Sequence, residues 1–394
     1  MISLIVCSIA ALSAAQAPLF EAEMIFPPEP KHSHGSSLVE TPKGELIAAW
    51  FYGNGEKGDD TLVINGARLK KRQHNWTKPF LMADSQDLPD QNPVLFVDPR
   101  KTLWLFWICS QDNTYNTYIV KYRTAAKYNG AGAPQWDWQD VIHTRPKDLE
   151  KLFLDDVAKY PKDYEGNAET HKKYLTWLED AKNAAPKKLA QRQGWMTRIH
   201  PLMTSDKRML LPLYSDEFAC SMVAATEDWG KTWSYSQPIL NLNVQACLVK
   251  KKDGDIVAYM RDRGAARRVP KAVSKDGGMT WSHVELTDIP NPDSSVDCIA
   301  LKNGHWVMVC NDTSGGPRGG RNQMSVWLSD DEGATWKWKR NIEKHGEECA
   351  ASYPCVIQAK DGLIHCSYTY SPKEGETIKH ARFNETWIME GNAK

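Results

Sequence analysis

The sequence predicts an all-β chain folded as a six-bladed β-propeller with one helical insertion, and three observations predict it. An eight-residue pattern, S/T-x-D-x-G-x-T-W, recurs at Thr226–Trp233, Ser274–Trp281 and Ser329–Trp336, with start-to-start spacings of 48 and 55 residues. Six tight-turn signals along the chain each precede an apolar, strand-like run. The segments inside the repeat read as strands without helices, and a period of this length filled by strands marks a propeller blade.

The best-formed unit is Gln245–Ser282, in which an apolar strand, the Asp253-Gly254 turn and the run Asp255–Arg261 lead through a third strand near Lys271–Ser274 into the repeated pattern. Asp-Gly between apolar runs is a strong hairpin signal, since glycine supplies the positive φ that the turn needs. In the repeated pattern, known as the Asp box, the carboxylate accepts backbone N–H groups, the glycine turns left-handed and the Trp fills the gap between neighbouring sheets. It is a structural staple and carries no chemistry.

The turns fall at Pro42-Lys43-Gly44, Asp98-Pro99-Arg100, Ser205-Asp206-Lys207, Asp253-Gly254, Asn303-Gly304 and Asp361-Gly362. The strands after them are Glu45–Phe51, Thr102–Ile108, Arg208–Tyr214, Asp255–Arg261, His305–Asn311 and Leu363–Tyr370, so six turns imply six blades. Between the second and third turns the spacing doubles to 107 residues without added strand pattern. There Pro146–Arg192 places Leu149, Leu152, Phe153 and Val157, then Tyr174, Trp177 and Leu178, at helical spacing, which predicts a helical insertion (146–192) between outer strands of blades 2 and 3. Its charged face reads as solvated surface or as one wall of a pocket. Trp76 and Trp387 stand where the first and last blades need a staple, and Leu19–Phe26 is the expected closing strand, since closure makes the chain ends share a blade.

Composition narrows the function. Forty-nine Lys and Arg balance 49 Asp and Glu, which argues against nucleic acid as a partner. Sixteen Trp are far above ordinary usage, some expected as staples between blades and others as surfaces for stacking on sugars. Residues 1–17 combine a short apolar run with Ala15-Gln16-Ala17, the pattern of a signal peptide, so residues 18–394 would form the exported propeller, periplasmic or extracellular. No later run is long and apolar enough to span a bilayer. Loss of the leader removes Cys7 and leaves eight cysteines without CxxC pairs, which fits buried thiols and disulfides equally. No cofactor is implied, and the His and Asp pairs lack metal-ligand spacing.

Three Asp boxes on a six-bladed count resemble the sialidase superfamily, in particular its BNR-repeat sialidase-like branch, from about His32 to Trp387. That resemblance implies arginines that hold a substrate carboxylate, an Asp that acts as acid and base, and a Tyr nucleophile whose proton goes to a Glu. Arg's planar fork suits a carboxylate, and a neutral phenol avoids driving an anion at an anionic sugar. By position, Arg261 and Arg321 match the second and third arginines, Tyr353 matches the nucleophile, and Asp59 or Asp60 falls in the acid/base region. Two roles are vacant. The first arginine is replaced by the stretch His32-Ser33-His34-Gly35-Ser36-Ser37, and the glutamate aligns with Gln245, which cannot take a proton.

The further candidates divide between function and structure. Arg198 and His200 precede the third hairpin and suit a channel-facing or a structural place alike. Asp262 and Arg263 suit substrate contact or an ion pair orienting Arg261. Gln91 and Asn92 suit a strand cap or a sugar hydroxyl, Asn291 and Asp293 a structural turn, and Glu347 or Glu348 a substitute base. His365 and His380 read as satisfied core histidines. The expectation is an exported enzyme acting on the terminal acidic sugar of a glycan, a sialic or uronic acid. Hydrolysis would use Asp60 as acid with Tyr353 or Glu56 as its partner. The alternatives are a uronate lyase, in which His34 and Tyr353 perform β-elimination, and a glycan-binding propeller without catalysis.

Overall fold

In the computed structural model, which describes residues 16–55, 59–160 and 168–391, six antiparallel sheets follow one another as propeller blades. The first blade comprises His32–Glu40, Leu46–Gly53, Val63–Leu69 and Phe80–Ala83. The second comprises Asp90–Val97, Leu103–Cys109, Ile119–Ala125 and Trp138–Ile142. In the third, the innermost strand is split into Trp195–Met196 and Leu202–Met203, both paired with Met209–Ser215, and Cys220–Thr226 and Ser234–Tyr235 follow. The fourth runs Asn243–Lys250, Ile256–Asp262, Arg268–Ser274, Glu285–Pro290, and the fifth Val296–Ala300, Trp306–Cys310, Gln323–Ser329, Trp338–Lys344. Each expected turn joins an innermost strand to the second strand of its blade.

The sixth blade closes the ring. Its strands Ala350–Gln358, Ile364–Ser371 and Thr377–Phe383 are completed by the N-terminal Phe20–Met24, paired antiparallel from Phe20 opposite Phe383 to Met24 opposite Lys379. Closure of this kind leaves no unpaired edge between the chain ends. Hydrophobic clusters fill the spaces between neighbouring blades: Ile47, Ala49 and Phe51 of the first blade meet Leu95, Leu105 and Trp107 of the second, and Ile25, Phe26 and Ile378 of the sixth meet Trp50 of the first. Both faces of a blade are therefore covered, which is why the second strands read as continuous apolar runs such as Leu103–Cys109, all buried.

The Asp boxes are built as their sequence requires. In the fourth blade Asp276 accepts the backbone N–H groups of Met279 and Thr280 and the hydroxyls of Ser274 and Thr280. Burial opposes its charge, but these donors outweigh it and pull the carboxyl down to about 2. Trp233 and Trp336 each lean on the preceding blade, against Phe106 and Tyr259. Trp387 does the same work from a short helix, Glu385–Met389, stacked 4.4 Å from Phe20.

The insertion forms helices at Leu149–Val157, Ala168–Ala184 and Lys188–Arg192. It leaves the outer strand of the second blade but enters the innermost strand of the third, which corrects the expectation of a link between two outer strands. Leu149, Phe153, Val157, Tyr174 and Leu178 join the core between those blades. The expected leader (residues 1–17, up to residue 15) and Glu56 lie outside the described residues. Among the described residues, no helix is long and apolar enough to cross a membrane, and the eight cysteines are buried as free thiols.

Buried histidines make stability depend on pH. Burial, and then the positive charge of neighbours, lowers His34 well below its usual value and pushes His365 down to about 3, and burial lowers His380 despite Glu23. Such groups take up protons only on unfolding, so their cost is absent above pH about 6.5 and grows as pH falls below it. His200 has the opposite sign: burial lowers it, the Asp297 carboxylate outweighs burial, and its contribution is lost as pH rises. With three groups against one, the thermal unfolding midpoint is expected to fall steadily from pH about 6.5 to about 4. A midpoint flat across that range would contradict the neutral state of these imidazoles.

Candidate active site

The innermost strands are regular except at one end of the channel, where four of them shift register: between His34 and Ser37, Gln91 and Val94, Val244 and Cys247, and Ser352 and Cys355. There Gly35, Asn92, Gln245 and Tyr353 take φ of +62°, +48°, +57° and +59°. A side chain held in the left-handed region costs about 1–3 kcal/mol and persists only where its surroundings over-determine it. The shifts turn side chains toward the axis and leave backbone carbonyls without ladder partners.

One segment of the third blade satisfies those carbonyls. Arg198, only 2% exposed, donates to the carbonyls of Ser36 at 3.0 Å and Pro354 at 3.1 Å and to that of Tyr353, while the Thr197 hydroxyl donates to the carbonyl of Asn92 at 2.8 Å. Residues 197 and 198 thus tie the shifted strands of the first, second and sixth blades together. His200 lies deeper, 3.3 Å from Asp297, whose other oxygen accepts the Val356 N–H.

Above this floor stands Tyr353. Its hydroxyl receives a hydrogen bond from Arg261 Nη1 at 2.8 Å, its ring centre lies 4.1 Å from that of His34, and the guanidinium carbons of Arg198, Arg321 and Arg261 lie 5.1, 5.3 and 6.0 Å from its ring centre. Arg261 Nε meets Asp293 at 2.6 Å, and Arg263 meets the same carboxylate at 3.4 Å. Burial opposes the charge on Arg261, but Tyr353, Asp293 and Asp216 outweigh it and hold the guanidinium above its ordinary pKa. Burial is also the main reason that His34 stays neutral, followed by His32 and the three arginines.

These groups open into a cavity of about 580 Å³, within the usual range for ligand pockets. His34, Gln245, Arg261, Arg321 and Tyr353 all line it, so five of the expected residues converge; Gln91 and Asn92 join them. Six others, Asp59, Asp60, Arg198, Asp262, Glu347 and Glu348, do not line it. Arg198 lies beneath as a positioning group. Asp262 is buried with its carboxylate on the N–H groups of Gly264 and Arg268, so the ion pair that orients Arg261 comes from Asp293 instead. Asp59 is taken up by its own turn, accepting from Asn54 and Thr61. Asp60 is exposed and accepts from Asn113 Nδ2 at 2.6 Å, Asn113 standing two residues before the cavity-lining Tyr115. Glu348 caps its own turn through the Gly346 N–H, and neither it nor Glu347 lines the cavity.

Arg263, a candidate for substrate contact, lines it too, and Trp177 makes the insertion one wall of the pocket, as one of its two readings had it. Asp216, Glu217, Tyr214 and Tyr118 also line it and were not anticipated. Tyr214 sits one residue before the end of its strand, as Arg261 does in the next blade, a correspondence that the repeat itself carried. Its hydroxyl accepts from Asn92 Nδ2 at 3.1 Å. Asp216 and Glu217 had no such signal, because they lie in the turn beyond the strand. Burial raises Glu217 above its usual value, with Lys187 opposing. The cavity thus sets a cationic face against an acidic and aromatic one, an arrangement suited to a sugar that carries a carboxylate.

Comparison with known proteins places this geometry. The profile of the BNR repeat-like domain family matches residues 44–149 and 166–366, and the gap between the two stretches falls inside the helical insertion. The sialidase of Micromonospora viridifaciens is 24% identical over 169 residues, 41% of this chain and 25% of its own length. The anhydrosialidase of Macrobdella decora is 25% identical over 179 residues, 41% of this chain and 23% of its own. The matches thus span about a quarter of these curated relatives. Among solved structures, the leech intramolecular trans-sialidase in complex with 2,7-anhydro-Neu5Ac aligns with a TM-score of 0.68 at 13% identity, covering 94% of this chain and 71% of that one. The intramolecular trans-sialidase of Ruminococcus gnavus gives 0.67 at 12%, covering 92% and 96%, and a Dyadobacter fermentans protein of unknown function gives 0.67 at 16%, covering 92% and 98%. At these identities the likeness is one of fold.

Proposed function

Because the chain belongs to the BNR repeat-like domain family, we propose that it binds the terminal acidic sugar of a glycan and cleaves its glycosidic bond. The observation that carries this reading is the convergence of Arg261, Arg321 and Tyr353 on one cavity. Arg261 and Arg321 take the carboxylate. The Tyr353 oxygen attacks the anomeric carbon as the bond to the leaving oxygen breaks, and the exposed carboxyl of Asp60 protonates that oxygen.

His34 takes over the proton acceptance that Gln245 cannot perform. Its imidazole is neutral and in contact with Tyr353. Burial depresses it most, then His32 and the arginines; an arriving carboxylate offsets the arginine part of that depression. The same pair of His34 and Tyr353 also favours a second chemistry. With a uronic acid on the arginines, the carbon next to the carboxylate becomes acidic, His34 removes its proton, and Tyr353 protonates the leaving oxygen. The expected leader suits either activity to an extracellular or periplasmic setting.

A screen of sialosides, uronosides and neutral glycosides, read by new reducing ends and by near-ultraviolet absorbance, separates these chemistries. Release of reducing ends from acidic substrates alone is the expected result. An absorbing unsaturated product would reassign the chemistry to elimination, and preference for neutral glycosides would overturn the role of the arginines.

A further inference from the structure

Three depressions meet at one side chain. Trp177, from the helix Ala168–Ala184, lines the axial cavity and two neighbours of about 540 and 220 Å³. The larger neighbour shares Glu217 with the axial cavity, and the smaller shares Arg263. A ligand seated on the arginines that extends into either neighbour therefore passes Trp177. The indole is held for that use: its Nε1–H donates to the Glu217 carbonyl at 2.9 Å, and Tyr174 stands beside it with ring centres 6.1 Å apart. Among the described residues, Glu217 Oε2 is buried and has no hydrogen-bond partner. A fixed aromatic face beside an unsatisfied carboxylate oxygen matches the two surfaces of a pyranose, its apolar face and its hydroxyl edge.

We infer that the helical insertion builds a second sugar subsite, in which Trp177 stacks on the residue next to the terminal acidic sugar and Glu217 accepts one of its hydroxyls. The substrate class is then an acidic oligosaccharide or polysaccharide end and not a simple monosaccharide conjugate. This rests on the acidic-sugar reading above.

The test is calorimetric titration of the full chain in a Tyr353→Phe background, chosen to slow turnover. The probes are sialyllactose against free sialic acid, and trigalacturonate against galacturonate. At least one trisaccharide is expected to bind roughly ten-fold more tightly than its terminal sugar, about what one stacked ring contributes. Trp177→Leu, which keeps apolar volume without a π-face, should remove that advantage. Trp177→Phe should keep most of it, and Glu217→Gln should reduce it. Equal affinity for trisaccharide and monosaccharide, or an advantage that survives Trp177→Leu, would overturn the subsite while leaving the arginine site standing. Failure of every acidic sugar to bind would instead overturn the arginine site, and the subsite with it.

Discussion

Replacement of Tyr353 by Phe is expected to lower kcat by about 10³-fold or more while leaving the fold and substrate binding intact, the pattern of a group that acts only in the transition state. The ring supplies the packing, against His34 at 4.1 Å and among three guanidinium groups, and Phe retains it. The hydroxyl supplies the chemistry, and Arg261 Nη1 donates to it from 2.8 Å. Losing that hydroxyl also removes one acceptor from Arg261, but Asp293 still holds the guanidinium at 2.6 Å, so carboxylate affinity should change by less than a few-fold. Steady-state kinetics on whichever acidic glycoside the screen identifies, together with calorimetric affinity, decide the matter. Unchanged turnover would remove Tyr353 from the chemistry, and a protein that binds acidic sugars yet turns none over in wild-type form would be a glycan-binding propeller, the reading that Gln245 favours.

The second large effect belongs to Arg198. Its replacement by Met is expected to cost about 3–5 kcal/mol of stability, because the carbonyls of Ser36, Tyr353 and Pro354 would lose their donor inside the protein. Removing a buried charge offsets part of that cost, and Met fills most of the volume. The same change should free the Tyr353 backbone from its left-handed geometry, so kcat/KM should fall even under conditions where the variant remains folded. Arg198→Lys is informative beside it, since a point charge cannot span three carbonyls that a planar fork reaches. Urea unfolding measures the first effect and kinetics the second. A loss under about 1 kcal/mol, with activity kept, would show that the shifted strands hold their shape without this residue.

The blade architecture was legible because its signals are local. Turn chemistry at Asp253-Gly254 or Asn303-Gly304, the Asp-box hydrogen bonds within Ser274–Thr280 and the apolar second strands all act over a few residues. The closing strand was legible for a related reason: a run left over at one end of a ring has one place to go. Less could be read at the channel mouth. Adjacency in sequence suggested Asp262 as the partner of Arg261, but strand alternation sends neighbouring side chains to opposite faces, and the partner is Asp293, across the sheet edge. Trp177 was legible as a helix residue facing inward, yet its place in the cavity wall depends on where the insertion docks.

By itself, then, the sequence determined the number of blades, their order and the residue types available at the axis, since period, patterning and turn propensity are properties of short stretches. Only the tertiary structure decided which of those residues meet. Ring closure brings Gly35 N to the Thr369 hydroxyl at 3.1 Å across 334 positions, and Arg261 to Tyr353 across 92. Contacts over such separations follow from the packing of whole sheets and from register shifts of single residues, neither of which any local stretch encodes.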